Sequence, residues 1–144
     1  MTSAASVNVW THITADEINI AAHEDFVQRA SAGGRVVFSG VVRDEDGGRE
    51  VVELEYQAHP SAVDVLRAIA DEFAALPDVA ALAVTHRTGV LKPGDTALVA
   101  AVSSAHRREA FELCARLVDE VKHRLPIWKR QVFGDGTDEW VNCP

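Results

Sequence analysis

Residues 107–133 read RREAFELCARLVDEVKHRLPIWKRQVF, and the change of pattern near their centre decides the fold. Phe111, Cys114, Leu117, Val118 and Val121 recur at helical spacing and form one apolar stripe, predicting a helix over 107–124. Pro126 ends it, because proline has no N–H to donate and its ring clashes with the preceding turn. Beyond it, residues 127–133 read as a strand, the Gly134-Asp135-Gly136 turn comes next, and Trp140-Val141 close a last hairpin. Two of the chain's three lysines, Lys122 and Lys129, flank this break; the third is Lys92. They are not neighbours on one helix face: Lys122 sits at a helix end, and Lys129 lies a few residues beyond it in the strand.

Working back from this junction, residues 7–12 alternate weakly and suggest an edge strand. Residues 16–30 read as a helix stopped by Gly33-Gly34. Residues 35–43 (RVVFSGVVR) are rich in β-branched side chains and read as a buried strand. The loop 44–49 (DEDGGR) leads to a second, alternating strand over 51–58, the pattern of a hairpin. Pro60-Ser61 opens a helix whose apolar positions are Val63, Leu66, Ile69, Ala70 and Phe73. Pro77-Asp78 breaks it. Two more strands lie at 79–86 and 96–103, separated by the Lys92-Pro93-Gly94-Asp95 turn. Strands and helices in this order predict an α+β domain over residues 1–144, with helices packed on a mostly antiparallel sheet.

A chain of 144 residues, 47% hydrophobic and 25% charged, can bury a full core without staples. No run of eighteen apolar residues occurs, so no membrane span is expected. The first ten residues lack the pattern of a signal peptide, which sets cytoplasmic residence as the expectation. Cys114 falls on an apolar helix face and reads as a buried thiol; with no CxxC or HExxH, no metal is expected. The net charge of −8 argues against nucleic acid or an anionic membrane as partner. The charge is uneven: residues 106–130 hold seven Lys/Arg against four acids, a local +3, leaving −11 elsewhere. A cationic patch on an acidic chain suits a small anion.

Polar signals cluster where strands end and helices begin. Arg43 closes one strand. Ser103-Ser104-Ala105-His106-Arg107-Arg108 joins another to the long helix, whose N-terminus offers free N–H groups to a phosphate or carboxylate. Each cation also has an ordinary reading: Lys122 suits a helix C-terminus whatever its function, and Lys129 could lay its stem along Trp128. His86-Arg87, before Gly89, reads equally as a loop brace or a substrate contact. No Ser/His/Asp or Cys/His constellation is persuasive in the sequence. An enzyme built here would work through Arg, Lys and His, which orient anions, stabilise oxyanions, or offer a lysine amine.

Taken in order, Phe38-Ser39-Gly40-Val41-Val42-Arg43, Leu54-Glu55-Tyr56, His86-Arg87-Thr88-Gly89-Val90-Leu91, Ser104-Ala105-His106-Arg107-Arg108-Glu109-Ala110-Phe111, Lys122-x-x-x-Pro126-Ile127-Trp128-Lys129 and Asp135-Gly136-x-x-x-Trp140-Val141 resemble the catalytic (large) subunit family of molybdopterin synthase. HRxxAF followed by KxxxPIWK is the specific part, and the likeness runs over roughly residues 10–141. The resemblance implies an α/β hammerhead-type fold and a homodimer that binds a small ubiquitin-like sulfur-carrier subunit, making a heterotetramer. It implies sulfur transfer from that carrier's C-terminal Gly-Gly thiocarboxylate to cyclic pyranopterin monophosphate, yielding molybdopterin for molybdenum cofactor biosynthesis, with no cofactor on this subunit. Carried over by position, the catalytic residues would be Lys122 and Lys129. Val41, Val42, Arg43, His106, Arg107, Arg130 and Gln131 would join them in binding substrate, with both large subunits able to contribute to one pocket. A non-catalytic scaffold of the same fold, or an unrelated acidic protein binding a phosphorylated metabolite, are the alternatives.

Overall fold

In the computed structural model, which describes residues 2–5 and 7–143, two sheets share the chain. The first has the order β1-β2-β6-β8-β3: β1 (Thr2–Ala5), β2 (Val9–Thr14), β6 (Ala81–Arg87), β8 (Thr96–Ser104) and β3 (Gly34–Val41). Its neighbours are antiparallel except β2 and β6. The second runs β10-β9-β5-β4: β10 (Asp138–Cys143), β9 (Ile127–Phe133), β5 (Arg49–Ala58) and β4 (Glu45–Asp46), with β7 (Gly89–Leu91) also paired to β5. This is the α+β architecture expected from the sequence.

Helices cover both faces of the first sheet. α2 (Ala62–Ala74) and α3 (Arg107–Arg124) enclose the main core, in which Leu66, Ile69 and Leu117 meet Leu82, Val84, Ala100 and Val102. α1 (Ile20–Val27) lies on the opposite face, where Ala81, Ala83 and Ala101 let Val27 approach closely. Burial on both faces explains why β6 and β8 read as continuous apolar runs rather than alternating ones. Under α1, His23 is fully enclosed. Its Nδ1 donates to the Asn19 carbonyl (2.8 Å), so Nε2 accepts from the Thr85 hydroxyl (2.6 Å).

Several expectations change. The strand expected at an edge, β2, is interior, with β1 on one side and β6 on the other. The expected hairpin between 35–43 and 51–58 does not form: β3 pairs with β8 and β5 joins the other sheet, and β3, read as a buried strand, is an edge strand with Phe38 and Val41 exposed. The DEDGGR loop makes its own small hairpin instead, with Glu45 opposite Glu50 and positive φ at Gly47 and Gly48. The first helix is shorter than 16–30, because the Asn19 side chain accepts from the Ala22 N–H and caps it there. Gly33-Gly34 is no helix stop. A Cβ on Gly33 would lie 2.9 Å from the Ala105 carbonyl oxygen, so these glycines let the chain pass close against the start of α3. On α3 the buried stripe runs through Ala110, Leu113, Cys114, Leu117, Val118 and Val121, while Phe111 is 63% exposed.

Candidate active site

The break at Pro126 sets the geometry. α3 ends at Leu125, whose N–H donates to the Val121 carbonyl (2.9 Å) and whose ψ of 123° turns the chain out of the helix. The Pro126 carbonyl accepts from the His59 N–H (3.0 Å), fixing the exit to the end of β5. From there β9 runs antiparallel to β5, placing Lys129 opposite Tyr56 and Gln131 opposite Leu54. Directly opposed residues of an antiparallel pair point to the same face. Tyr56, Lys129 and Gln131 therefore share the inner face, toward the last turn of α3, where Lys122 sits.

These side chains line a cleft of about 200 Å³, closed by Val41 at the end of β3, by Val42 and Arg43 just beyond it, and by Glu45 and Asp46 of β4. Backbone bonds fix its rim: the Val42 N–H donates to the Asp95 carbonyl (2.9 Å) and the Gly94 N–H to the Val42 carbonyl (2.8 Å). The turn expected at 92–95 thus straps down the segment that carries Arg43. Arg43 meets Glu45 at 3.5 Å, a solvent-exposed pair that contributes little to stability. Lys92 pairs with Glu53 (3.2 Å), whereas among the described residues Lys122 and Lys129 are in no ion pair. Gln131 is 4% exposed, and its Oε1 has no hydrogen-bond partner among the described residues. Two ammonium groups and an arginine outnumber the carboxylates of Glu45 and Asp46 in the lining and favour a small anion, while the unpartnered Gln131 Oε1 is an acceptor that would take a donor hydrogen of the same ligand.

Of the expected site residues, Val41, Val42, Arg43, Lys122, Lys129 and Gln131 meet in this cleft. Arg130 does not. It points to the outer face of its sheet, where it bonds Asp138 (2.7 Å) and lies 3.8 Å from Glu55. His106 and Arg107 are exposed at the far end of α3, beside an open hollow with Glu109 and Phe111. The fifteen residues from Arg107 to Lys122 amount to about 22 Å of helix, so within one chain these groups are apart.

Two lining residues, Tyr56 and Leu54, belong to the family motifs but were not expected in the site; their signal was alternation along β5. His86, buried against Tyr56, supports the cleft from behind. Cys114 is enclosed at 2% exposure and its thiol is pushed up to about 11 by burial, the state of an inert core residue.

Comparison with known proteins shows the family and the fold. The family model described as MoaE protein matches residues 13–124. The molybdopterin synthase catalytic subunit of Pyrococcus abyssi is 43% identical over 128 residues, covering 88% of this chain and 85% of that one. The Bacillus subtilis catalytic subunit is 40% identical over 116 residues, covering 80% and 73%. Among solved structures, molybdopterin synthase from Staphylococcus aureus superposes with a TM-score of 0.83 at 32% identity, covering 90% of this chain and 95% of that chain. A complex of subunits 1 and 2 of molybdopterin-converting factor from Helicobacter pylori shares the fold, with a TM-score of 0.70 at 20% identity and coverage of 92% and 88%. Sequence, fold and similarity converge: the chain belongs to the MoaE family, that of the molybdopterin synthase catalytic subunits.

Proposed function

We propose that this subunit converts cyclic pyranopterin monophosphate to molybdopterin, taking sulfur from the C-terminal thiocarboxylate of a small ubiquitin-like carrier ending in Gly-Gly. The observation that carries the reading is the meeting of Lys122 and Lys129, neither in an ion pair among the described residues, in one cleft with Arg43. A narrow cationic cleft attracts the thiocarboxylate anion at the end of a flexible tail. Lys129 donates a hydrogen bond to the acyl oxygen. The thiocarboxylate sulfur then bonds to a carbon of the pterin side chain as that carbon's bond to oxygen breaks, the oxygen leaving with a proton; water cleaves the acyl–sulfur bond, leaving the sulfur on the pterin and releasing the carrier as a carboxylate. Lys122 balances negative charge and moves protons as sulfur adds. Two such rounds install both sulfurs.

Arg43 anchors the phosphate from the cleft's rim. His106 and Arg107 belong beside the same phosphate, and the helix length that separates them from Lys122 supports their coming from a second copy in a homodimer. Pairing with a small carrier is supported by the complex from Helicobacter pylori, which joins subunits 1 and 2 of molybdopterin-converting factor.

The test is an assay with purified protein, thiocarboxylated carrier and the cyclic precursor. Lys129→Ala is expected to abolish turnover while the carrier still binds; an active variant refutes its role. Lys122→Ala is expected to cripple turnover with the fold intact. Absence of dithiolene product from the unsubstituted protein overturns the enzymatic reading and leaves a scaffold.

A further inference from the structure

The two lysines are carried by different halves of the molecule. Lys122 rides on α3, which packs on β8 and β3 of the first sheet, whereas Lys129 is part of β9 in the second. The Leu125-Pro126 junction ties them on one side, and what else joins the sheets next to the cleft sets how the two elements are held beyond it. The chain crosses there at His86-Arg87-Thr88-Gly89. His86 is the last residue of β6 paired to β8, opposite Leu98. Thr88 donates its N–H to the Thr14 carbonyl (2.8 Å), and Arg87 Nε donates to the Ala15 carbonyl (3.3 Å). Gly89, at φ +92°, then turns the chain so that β7 pairs with β5, with Gly89 opposite Tyr56.

His86 bridges this joint with its side chain. It is 7% exposed, on the same face of β6 as the core residues Leu82 and Val84. Its Nδ1 lies 2.7 Å from the Arg87 carbonyl. A carbonyl only accepts, so the hydrogen is on Nδ1 and the ring's orientation is fixed. The imidazole meets the Tyr56 ring edge-on, centroids 4.9 Å apart at 79°. Tyr56 is both a wall of the cleft and the cross-strand neighbour of Lys129. Burial, reinforced by the positive charge of Lys122, pushes the His86 ring down to about 4, so it is neutral at physiological pH and adds no charge behind the lysines.

We infer that His86 is a positioning residue: through its contact with Tyr56 it holds the second sheet, and Lys129 with it, at working distance from Lys122. The inference rests on the proposed sulfur transfer for its kinetic consequence, but the contact has its own readout. Tyr56 is the chain's only tyrosine, so incorporation of 3-fluorotyrosine gives a single fluorine resonance.

His86→Asn keeps an N–H for the Arg87 carbonyl but removes the ring. It is expected to shift or broaden the fluorine line and to lower kcat about tenfold or more, with KM for the pterin within about twofold, since Arg43 is untouched. His86→Phe removes the hydrogen bond but returns a ring to Tyr56. It is expected to recover most of the lost kcat even where its Tm is lower. A purely structural role has the opposite signature, with kcat following Tm across the two variants. Wild-type kcat in folded His86→Asn, or a fluorine line that does not move, overturns the inference. Should the unsubstituted protein show no turnover, the proposed function fails, and the fluorine line alone decides the His86 contact.

Discussion

A pocket assembled from two copies has a consequence that a single-copy pocket cannot imitate. Arg107 and Lys122 stand about 22 Å apart along one rigid helix, too far for a substrate the size of a pterin to touch both ends. Lys129→Ala and Arg107→Ala then damage pockets in different ways. In a heterodimer of the two variants, one pocket carries both substitutions and the other carries neither. Co-expression with two affinity tags and sequential purification isolates that heterodimer. In the proposed pocket Arg107 would contribute a charge-assisted bond of about 1.5–3 kcal/mol, so below saturation each variant homodimer should be slowed at least about tenfold. The heterodimer should retain about half the activity of the unsubstituted dimer, because one of two pockets is whole. Initial rates at low pterin concentration with excess thiocarboxylated carrier measure this directly. Heterodimer activity no greater than the mean of the two variant homodimers would refute the shared pocket and return Arg107 to a surface role.

Three further outcomes are expected from the geometry. His86 in the folded chain is held at about 4 against an ordinary 6.5, and His23 is also lowered by burial. The unfolded chain therefore binds protons first. Stability contributed by neutral His86 is complete above about pH 6.5 and is lost as pH falls toward 4, amounting to about 3 kcal/mol when fully developed. Urea titrations between pH 7 and 4.5 check this, and His86→Phe should flatten the slope. Gly33→Ala would set a Cβ 2.9 Å from the Ala105 carbonyl oxygen and is expected to cost about 1–3 kcal/mol by overpacking, seen as a lower Tm. Arg130→Ala, which removes only exposed ion pairs with Asp138 and Glu55, should change stability by about 1 kcal/mol or less; a large loss of pterin affinity would instead place Arg130 in the site.

The sequence made the helices and the Lys122–Lys129 break legible because their signals are local: periodicity, proline, glycine. Strand partners were not local. Nothing in RVVFSGVVR states that it pairs with β8, about sixty residues on, rather than with the strand immediately after it. Gly33-Gly34 misled for a related reason, since the approach of α3 that requires them comes from over seventy residues away. At the site, the resemblance carried Lys129, Arg130 and Gln131 over together; alternation along β9 puts Arg130 on the opposite face, and only the register with β5 shows which face looks into the cleft. His86 carried no decisive signal: a histidine at a strand end is ordinary until the ring it touches is known.

The uninterrupted course of α3 has an evolutionary consequence. It carries Arg107 at one end and Lys122 at the other, about 60° apart around the axis after four full turns. A substitution between them alters a surface or a contact. An inserted or deleted residue would rotate one end by about 100° relative to the other and shift it by about 1.5 Å. This segment should therefore accept changes of letter but not of length, and the helix gauges the spacing between the two pockets of the proposed dimer.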